Sequence, residues 1–394
     1  MTTLHRARWV LPIAQPPIEN GCIEVEDGVI TAVGPDGALR AAPGPYDNVA
    51  ILPGLVNAHT HLELSWMRGQ VPPAAAMPQW VERLMRLRRT VGHEPPQPIA
   101  DAIGEARASG TALVGDVTNT LAAYGALADS GLSAAIFREL LGFNVPDPEA
   151  LVRGTLETLA SLPPIGRLRP SIVPHAPYSV APALFRAIAA AAGPSRVSIH
   201  IGESPEELEF LRTGQGAWRQ LLTGFGAWSD EWTPPGSGPV EYIAAQGLLN
   251  ERLLAVHCVQ LPGAELEMLA SAGATLVTCP RSNRWVGVGL PPIDRFYASG
   301  VRVAVGTDSL ASVEDLNVFS ELKLMRELAP SVSAREILAS GTKAGADALG
   351  FGAELGTIEV GKRAELIAVA VPDGVSDVEE YLLSGIEPGQ IRWL

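Results

Sequence analysis

The sequence predicts an α/β fold: a (β/α)8 TIM-like barrel with a small β-sandwich built from both termini. Eight apolar, strand-like runs alternate with Ala/Leu-rich helical stretches, which is the pattern of a (β/α)8 barrel. Those runs that are apolar without alternation fit strands that are buried on both faces. The two ends of the chain carry short strands and turns instead, which predicts a separate β layer.

The terminal layer is predicted from short segments at both ends of the chain, at residues 22–26, 29–33, 356–361 and 365–370. Each is a strand-like run bounded by turn residues such as Asp27-Gly28. We expect these segments to pair, so that residues 1–52 and 356–394 form one composite β-sandwich domain. Residues 53–355 would then form the catalytic (β/α)8 domain.

The barrel strands are predicted at residues 54–58, 112–116, 134–138, 171–174, 197–201, 253–256, 274–278 and 301–306. Two insertions interrupt the alternation, at residues 66–98 and 213–240. The second is rich in tryptophan, glycine and proline, which is typical of a packed surface loop or of a lid over an apolar ligand.

Composition limits the classes of partner. The formal charge of −14 argues against nucleic acid or an anionic membrane surface. No run of about 18 uncharged apolar residues occurs, so we expect no membrane span and a cytoplasmic location. The three cysteines, Cys22, Cys258 and Cys279, have no metal-ligand spacing and are interpreted as buried thiols.

The chemistry of the chain is concentrated at the ends of the predicted strands, where barrel active sites form. His59 and His61 end the first strand, and alternate residues of a strand point the same way. Polar groups follow later strands as well: Glu139, His175, His200, Glu203, His257 and Asp308. Of the seven histidines, only His5 and His93 lie elsewhere.

These residue types suit a divalent metal. Two histidines of strand one, His200 and a carboxylate would give three nitrogens and one oxygen, with room for water. Such an open shell is typical of a catalytic site. Glu203, three residues beyond His200, is placed to act as a general acid/base, although a glutamate there also suits the first turn of a helix.

Over essentially its whole length the chain resembles the amidohydrolase superfamily, in particular its nucleoside/cytosine deaminase and chlorohydrolase branch. The matching segments are residues 52–61, 68–69, 175–179, 200–203, 257–258, 279–283, 306–309 and 355–362. The resemblance implies metal-dependent hydrolytic deamination at an amidine-like ring carbon, with release of ammonia. It also implies a small-molecule substrate and a homodimer.

The resemblance assigns roles residue by residue. His59, His61, His200 and Asp308 match the metal ligands, and Glu203 matches the proton-transferring acid/base. His257 and Asp308 match further catalytic groups, while His175 matches a substrate contact. Two-metal relatives need a lysine on strand four, but the first lysine here is Lys323. One metal ion is therefore expected, with zinc as the default and ferrous iron as the alternative.

Among such enzymes, the segments 59–65 and 175–179 are most similar to those of bacterial aminodeoxyfutalosine deaminases of menaquinone biosynthesis. The implied substrate, 6-aminodeoxyfutalosine, is an adenosine extended by a benzoate. Arg138, Arg281 and Arg284 are the candidate contacts of its carboxylate, and Glu63 and Glu139 those of its ribose hydroxyls. Three alternatives stay open: deamination or dechlorination of another heterocycle (adenosine, guanine, a pterin or a triazine), hydrolysis of a cyclic amide, and a non-catalytic relative that uses the barrel for binding.

Overall fold

The structure is a computed structural model that describes residues 2–35, 45–91 and 95–394. His93 lies outside these residues. Within them the strands are β1 (Thr2–Val10), β2 (Ile18–Glu26), β3 (Val29–Pro35), β4 (Asp47–Pro53), β5 (Leu55–Thr60), β6 (Thr111–Thr118), β7 (Ser133–Leu140), β8 (Leu168–Pro174), β9 (Val197–Ile201), β10 (Leu253–His257), β11 (Thr275–Thr278), β12 (Arg302–Val305), β13 (Leu366–Ala370) and β14 (Ile391–Trp393).

The helices of the described residues lie mostly between these strands. They are α1 (Met77–Arg88), α2 (Pro96–Ala108), α3 (Tyr124–Ser130), α4 (Pro148–Ala160), α5 (Pro182–Ala191), α6 (Pro205–Thr213), α7 (Ala217–Gly224), α8 (Pro239–Ala245), α9 (Gly263–Ser271), α10 (Pro280–Val286), α11 (Ile293–Ala298), α12 (Val318–Leu328), α13 (Ala334–Ser340), α14 (Lys343–Ala348) and α15 (Val378–Leu382), with short 3₁₀ helices at Leu62–Met67 and Pro388–Gln390.

The predicted barrel is confirmed, and each of the eight predicted runs overlaps one of the strands β5 to β12. These strands form two parallel four-stranded sheets, β5-β6-β7-β8 and β9-β10-β11-β12. The sheets meet edge to edge at both junctions: Asp308 N donates to His59 O over 3.0 Å, and His200 N donates to His175 O over 3.0 Å. Both junctions therefore join residues of the predicted site.

The β layer built from both termini is also confirmed. In the described residues its strands form one six-stranded mixed sheet in the order β14-β13-β4-β1-β2-β3. Only the β1–β4 pair is parallel, so the last strands of the chain complete a sheet begun by the first ones. Because β4 ends at Pro53 and β5 begins at Leu55, the layer leads directly into the barrel. The division of the chain into two domains remains our proposal.

The two insertions lie at the carboxyl-terminal end of the barrel strands. The first contains α1, and the second contains α7. The two helices approach each other, with the Arg89 guanidinium 4.9 Å from the centre of the Phe225 ring. No helix in the described ranges is long and apolar enough to cross a membrane.

Candidate active site

Four side chains predicted as metal ligands gather at the carboxyl-terminal mouth of the barrel. His61 Nε2 is 3.4 Å from His200 Nε2 and 3.6 Å from Asp308 Oδ1. His59 Nε2 is 4.0 Å from the same Asp308 oxygen. Ligand atoms around a tetrahedral zinc with bonds of about 2.0–2.1 Å stand roughly 3.4 Å apart, so the spacing suits a single ion.

The protonation of these histidines also fits a metal. Burial and the neighbouring imidazoles hold the pKa of His59 well below its usual value, and burial lowers the pKa of His200 to about 3. Both rings are therefore neutral at neutral pH, with a lone pair available for a metal. Neither ring nitrogen of the fully buried His59 has a hydrogen-bond partner among the described residues, a costly arrangement that a ligand would relieve.

Backbone and side-chain contacts orient the ligands. His200 Nδ1 lies 3.1 Å from the His175 carbonyl oxygen, a bond that leaves the Nε2 lone pair facing His61. Asp308 accepts a hydrogen bond from Ser309 N at Oδ1 over 2.7 Å and one from Ser282 Oγ at Oδ2 over 2.6 Å. The donor set of three imidazoles and one carboxylate fits a zinc or ferrous ion.

Two residues of the site have a left-handed backbone. His257 has a φ of 73° and Asp308 a φ of 62°, conformations that cost energy for a residue other than glycine. The Asp308 backbone is held by hydrogen bonds, because its carbonyl accepts from Thr60 Oγ1 over 2.9 Å and its N–H donates to His59 O. The strain lies where strand ends turn a side chain into the barrel mouth.

Glu203 and His257 form a buried pair beside the ligands. Glu203 Oε1 is 3.5 Å from His257 Nε2, and the Asn283 amide donates to His257 Nδ1 over 3.0 Å. That bond leaves the Nε2 proton of His257 directed at Glu203. Burial and the charge of Asp308 raise the pKa of Glu203 well above its usual value, as suits a group that takes up and releases a proton near neutral pH.

The mouth of the barrel contains a cavity of about 320 Å³ whose floor includes His61, His200, Glu203, His257 and Asp308. Its walls are mainly apolar, and both insertions contribute to them. Its apolar and aromatic wall side chains include Trp80, Leu84, Met85, Phe143, Tyr178, Trp218, Leu222 and Phe225. Part of the segment 213–240 thus lines the cavity, and the lid stays a prediction.

The predicted substrate contacts divide into two groups. His175 and Glu139 line the cavity, and Glu139 Oε1 has no hydrogen-bond partner among the described residues. Glu63 does not line it. Its carboxylate accepts bonds from Thr118, Thr120 and Arg88, so both oxygens already have protein partners.

The three arginines predicted to meet a substrate carboxylate lie outside the cavity wall. Arg281 pairs with Glu321 and Asp315 over 2.6 and 2.9 Å. Arg138 donates to the Glu139 carbonyl, and Arg284 is exposed away from the cavity. Local acceptors and helix orientation, which the sequence does not display, turn these side chains away from the cavity, and their contact with a substrate stays a prediction.

Sequence reasoning missed Arg88, the only lysine or arginine among the described residues that line the cavity. Its guanidinium donates to Glu63 over 2.8 Å and to Asn119 over 2.9 Å. It also missed Ser282 and Asn283, although both belong to the recognised segment 279–283. Their roles become visible only when α10 brings them against Asp308 and His257.

Comparison with known proteins supports this architecture. The profile of the Amidohydrolase family matches residues 50–385. The aminodeoxyfutalosine deaminase of Deinococcus radiodurans is 34% identical over 356 residues, covering 86% of this chain and 82% of that protein. The 5-methylthioadenosine/S-adenosylhomocysteine deaminase of Desulforudis audaxviator is 29% identical, covering 93% and 84%.

A solved structure agrees with these matches. An adenosine deaminase from Xanthomonas campestris, crystallised with bound zinc, superposes with a TM-score of 0.82 at 29% identity, and the match covers 98% of this chain and 90% of that one. The relatives are thus deaminases that share the whole barrel and not a fragment of it.

Proposed function

The chain belongs to the amidohydrolase family and is a hydrolase of carbon–nitrogen bonds. From this premise we propose that it deaminates a 6-aminopurine nucleoside with the help of one metal ion. The observation that carries the proposal is that His61 Nε2 lies 3.4 Å from His200 Nε2 and 3.6 Å from Asp308 Oδ1, with His59 Nε2 4.0 Å from the same oxygen, beside the buried Glu203–His257 pair. In the net reaction water replaces the amino group: a carbon–oxygen bond forms, the carbon–nitrogen bond breaks and ammonia leaves.

Each residue of the site has a separate role in the proposed reaction. The four ligands would hold zinc, or ferrous iron as the alternative that the same donors suit, and the metal would supply an activated water. Glu203 moves a proton from the attacking water to the ring nitrogen, because it is a buried carboxyl that lines the cavity and lies 3.5 Å from His257. His257, held by Asn283, presents its Nε2 proton to the reacting centre. Asp308 takes the second proton of the water and passes it to the departing amino group, which leaves as ammonia.

Two further residues of the floor are proposed to contact the substrate. His175 Nδ1 is 2.5 Å from Ser179 Oγ, so Nε2 is the ring nitrogen left for the purine. Glu139 Oε1, which lies 3.5 Å from His200 Nδ1 and accepts no hydrogen bond in the described structure, is placed to accept a hydrogen bond from a ribose hydroxyl.

The first candidate substrate is 6-aminodeoxyfutalosine, which would place the enzyme in menaquinone biosynthesis. Its benzoate arm needs an apolar and aromatic chamber with one cation, and the described cavity wall offers that combination in its tryptophans and Arg88. The similarity to the Deinococcus radiodurans enzyme supports the same choice. A second candidate is 5′-methylthioadenosine, whose small neutral arm suits the apolar wall and whose deaminases are also relatives.

The test is an ammonia-release screen of the zinc-loaded protein. It compares 6-aminodeoxyfutalosine, 5′-methylthioadenosine, S-adenosylhomocysteine, adenosine, guanine and a pterin by kcat/KM. The proposal predicts the highest value for 6-aminodeoxyfutalosine. A higher kcat/KM for another 6-aminopurine nucleoside would refute 6-aminodeoxyfutalosine as the substrate but would still support deaminase activity. Ring opening without release of ammonia would refute deamination itself.

A further inference from the structure

The turn that contains Glu203 is held by hydrogen bonds to a second buried glutamate, Glu207. Strand β9 ends at Ile201 and helix α6 begins at Pro205. Glu203, the proton-transferring residue of the proposed function, therefore lies in a tight connection between them. Gly202 has a φ of 57°, and a Cβ at this position would lie 2.3 Å from Leu261 Cδ2. Glycine is therefore required there, and its backbone needs a restraint from elsewhere.

Glu207 supplies that restraint. Its Oε1 accepts a hydrogen bond from Gly202 N over 2.9 Å, and its Oε2 accepts one from Glu203 N over 3.0 Å. The side chain is fully buried, and burial raises the pKa of Glu207 to about 8. A carboxyl group is thus kept out of water, at a cost in solvation, where it binds two successive backbone amides.

Helix capping does not account for this arrangement. Ser204 already caps α6, because its side chain accepts from Glu207 N. In a capping box the third helical residue reaches back to the N–H of the cap residue itself. Glu207 instead reaches past Ser204 to the two residues before it, which are the residues that set the direction of the Glu203 side chain.

We infer that Glu207 is a positioning residue for Glu203, acting through the backbone amides of Gly202 and Glu203. The inference rests on the proposed function, because it takes Glu203 as the proton shuttle. Holding these two peptide units fixes the Cα–Cβ direction of Glu203 and keeps its carboxyl 3.5 Å from His257. Misplacement of a catalytic group by about 1 Å costs on the order of 10²-fold in rate.

The chain offers a matched control in Glu265. This carboxylate is also buried, and it accepts the backbone N–H of Val240 over 2.9 Å and that of Glu241 over 3.3 Å. It therefore also holds two successive backbone amides, at the start of α8 and through its Oε1 alone. It is not among the described residues that line the cavity.

The experiment is a double-mutant cycle on the zinc-loaded enzyme, measuring kcat, KM, bound zinc and thermal stability. Glu207→Gln should lower kcat by about 10- to 100-fold with KM and bound zinc close to wild type. Glu265→Gln should lower stability and leave kcat unchanged. In a Glu203→Gln background the same Glu207 replacement should cause no further loss of kcat, because the two residues act as a unit.

Glu207→Asp, which keeps the charge but shortens the reach, serves if the amide variant does not fold, and it should show the same loss of kcat. An unchanged kcat in a folded Glu207 variant would overturn the inference, as would a loss that is fully additive with Glu203→Gln. An equal kcat loss in Glu265→Gln would also overturn it, by showing general destabilisation. If Glu203→Gln alone keeps its rate, the proposed function fails instead.

Discussion

Replacement of Glu203 by glutamine separates catalysis from folding more cleanly than any other change in this site. Glutamine has nearly the same shape but neither gives nor takes a proton in turnover. In the described structure Glu203 Oε2 has no hydrogen-bond partner. The 3.5 Å between Oε1 and His257 Nε2 is longer than an ordinary hydrogen bond. The amide therefore breaks no close contact, and it removes the repulsion between Glu203 and the carboxylates of Asp308 and Glu207.

The expected result is a large loss of rate in an intact protein. General acid–base catalysis contributes about 10²- to 10⁴-fold, so kcat for ammonia release should fall by that factor, equivalent to about 2.7–5.5 kcal/mol. Bound zinc should stay at the wild-type level, and the melting temperature should be equal or higher. A near wild-type kcat would refute the role of Glu203, and a parallel loss of zinc would show that the residue holds the metal.

Three other predictions concern the substrate arm, the metal and the pH dependence of stability. Arg88→Met should raise KM for 6-aminodeoxyfutalosine about 10- to 100-fold, because that factor corresponds to one hydrogen bond to a charged group. The KM for 5′-methylthioadenosine should stay nearly unchanged. An equal rise in KM for both substrates in steady-state kinetics would exclude a contact between Arg88 and the substrate carboxylate. Chelation should abolish ammonia release and lower the melting temperature, since a ligand bound only by the folded state stabilises it; activity that survives verified metal removal would contradict the proposed mechanism. Burial raises the pKa of Asp116 to about 8, so the folded state retains a proton that the unfolded chain loses near pH 4. The free energy of unfolding should therefore fall as the pH rises from about 4 to about 8. Asp116→Asn should make that fall shallower in urea titrations at pH 5 and pH 8, and an unchanged slope would count against the raised pKa.

The fold and the metal cluster were predictable because both follow from local sequence patterns. A strand that is buried on both faces is recognised by its apolar residues. A polar residue at its carboxyl end lies at the barrel mouth, because active sites of this fold form at that end of the strands. His59 and His200 lie next to the last residues of β5 and β9, and His61 and Asp308 follow the ends of β5 and β12. Their convergence therefore required only the correct order of strands.

The walls of the cavity were not predictable in the same way. Arg88 belongs to an insertion that folds back over the mouth, so its distance along the chain from the other site residues carries no information about contact. Arg281 and Glu63 are the opposite case: each has a suitable charge near a strand end, but Glu321 and Thr118 satisfy them locally. Which charged groups remain available to a substrate depends on tertiary hydrogen bonds.

The buried carboxylates behind the site also needed the structure. Glu207 is one of two acidic residues in the first turn of α6, a position that the helix dipole favours without any further role. Its reach past the helix start to Gly202 depends on the left-handed turn at that glycine. No periodicity or motif in the sequence marks such a contact.

The central claim is that His59, His61, His200 and Asp308 share one metal ion. Anomalous diffraction at the zinc absorption edge, from crystals of the zinc-loaded protein, tests it directly. A single strong peak should lie between these four side chains, with nitrogen and oxygen ligands at about 2.0–2.2 Å. A peak at a different set of residues, or two peaks within the barrel mouth, would contradict the account.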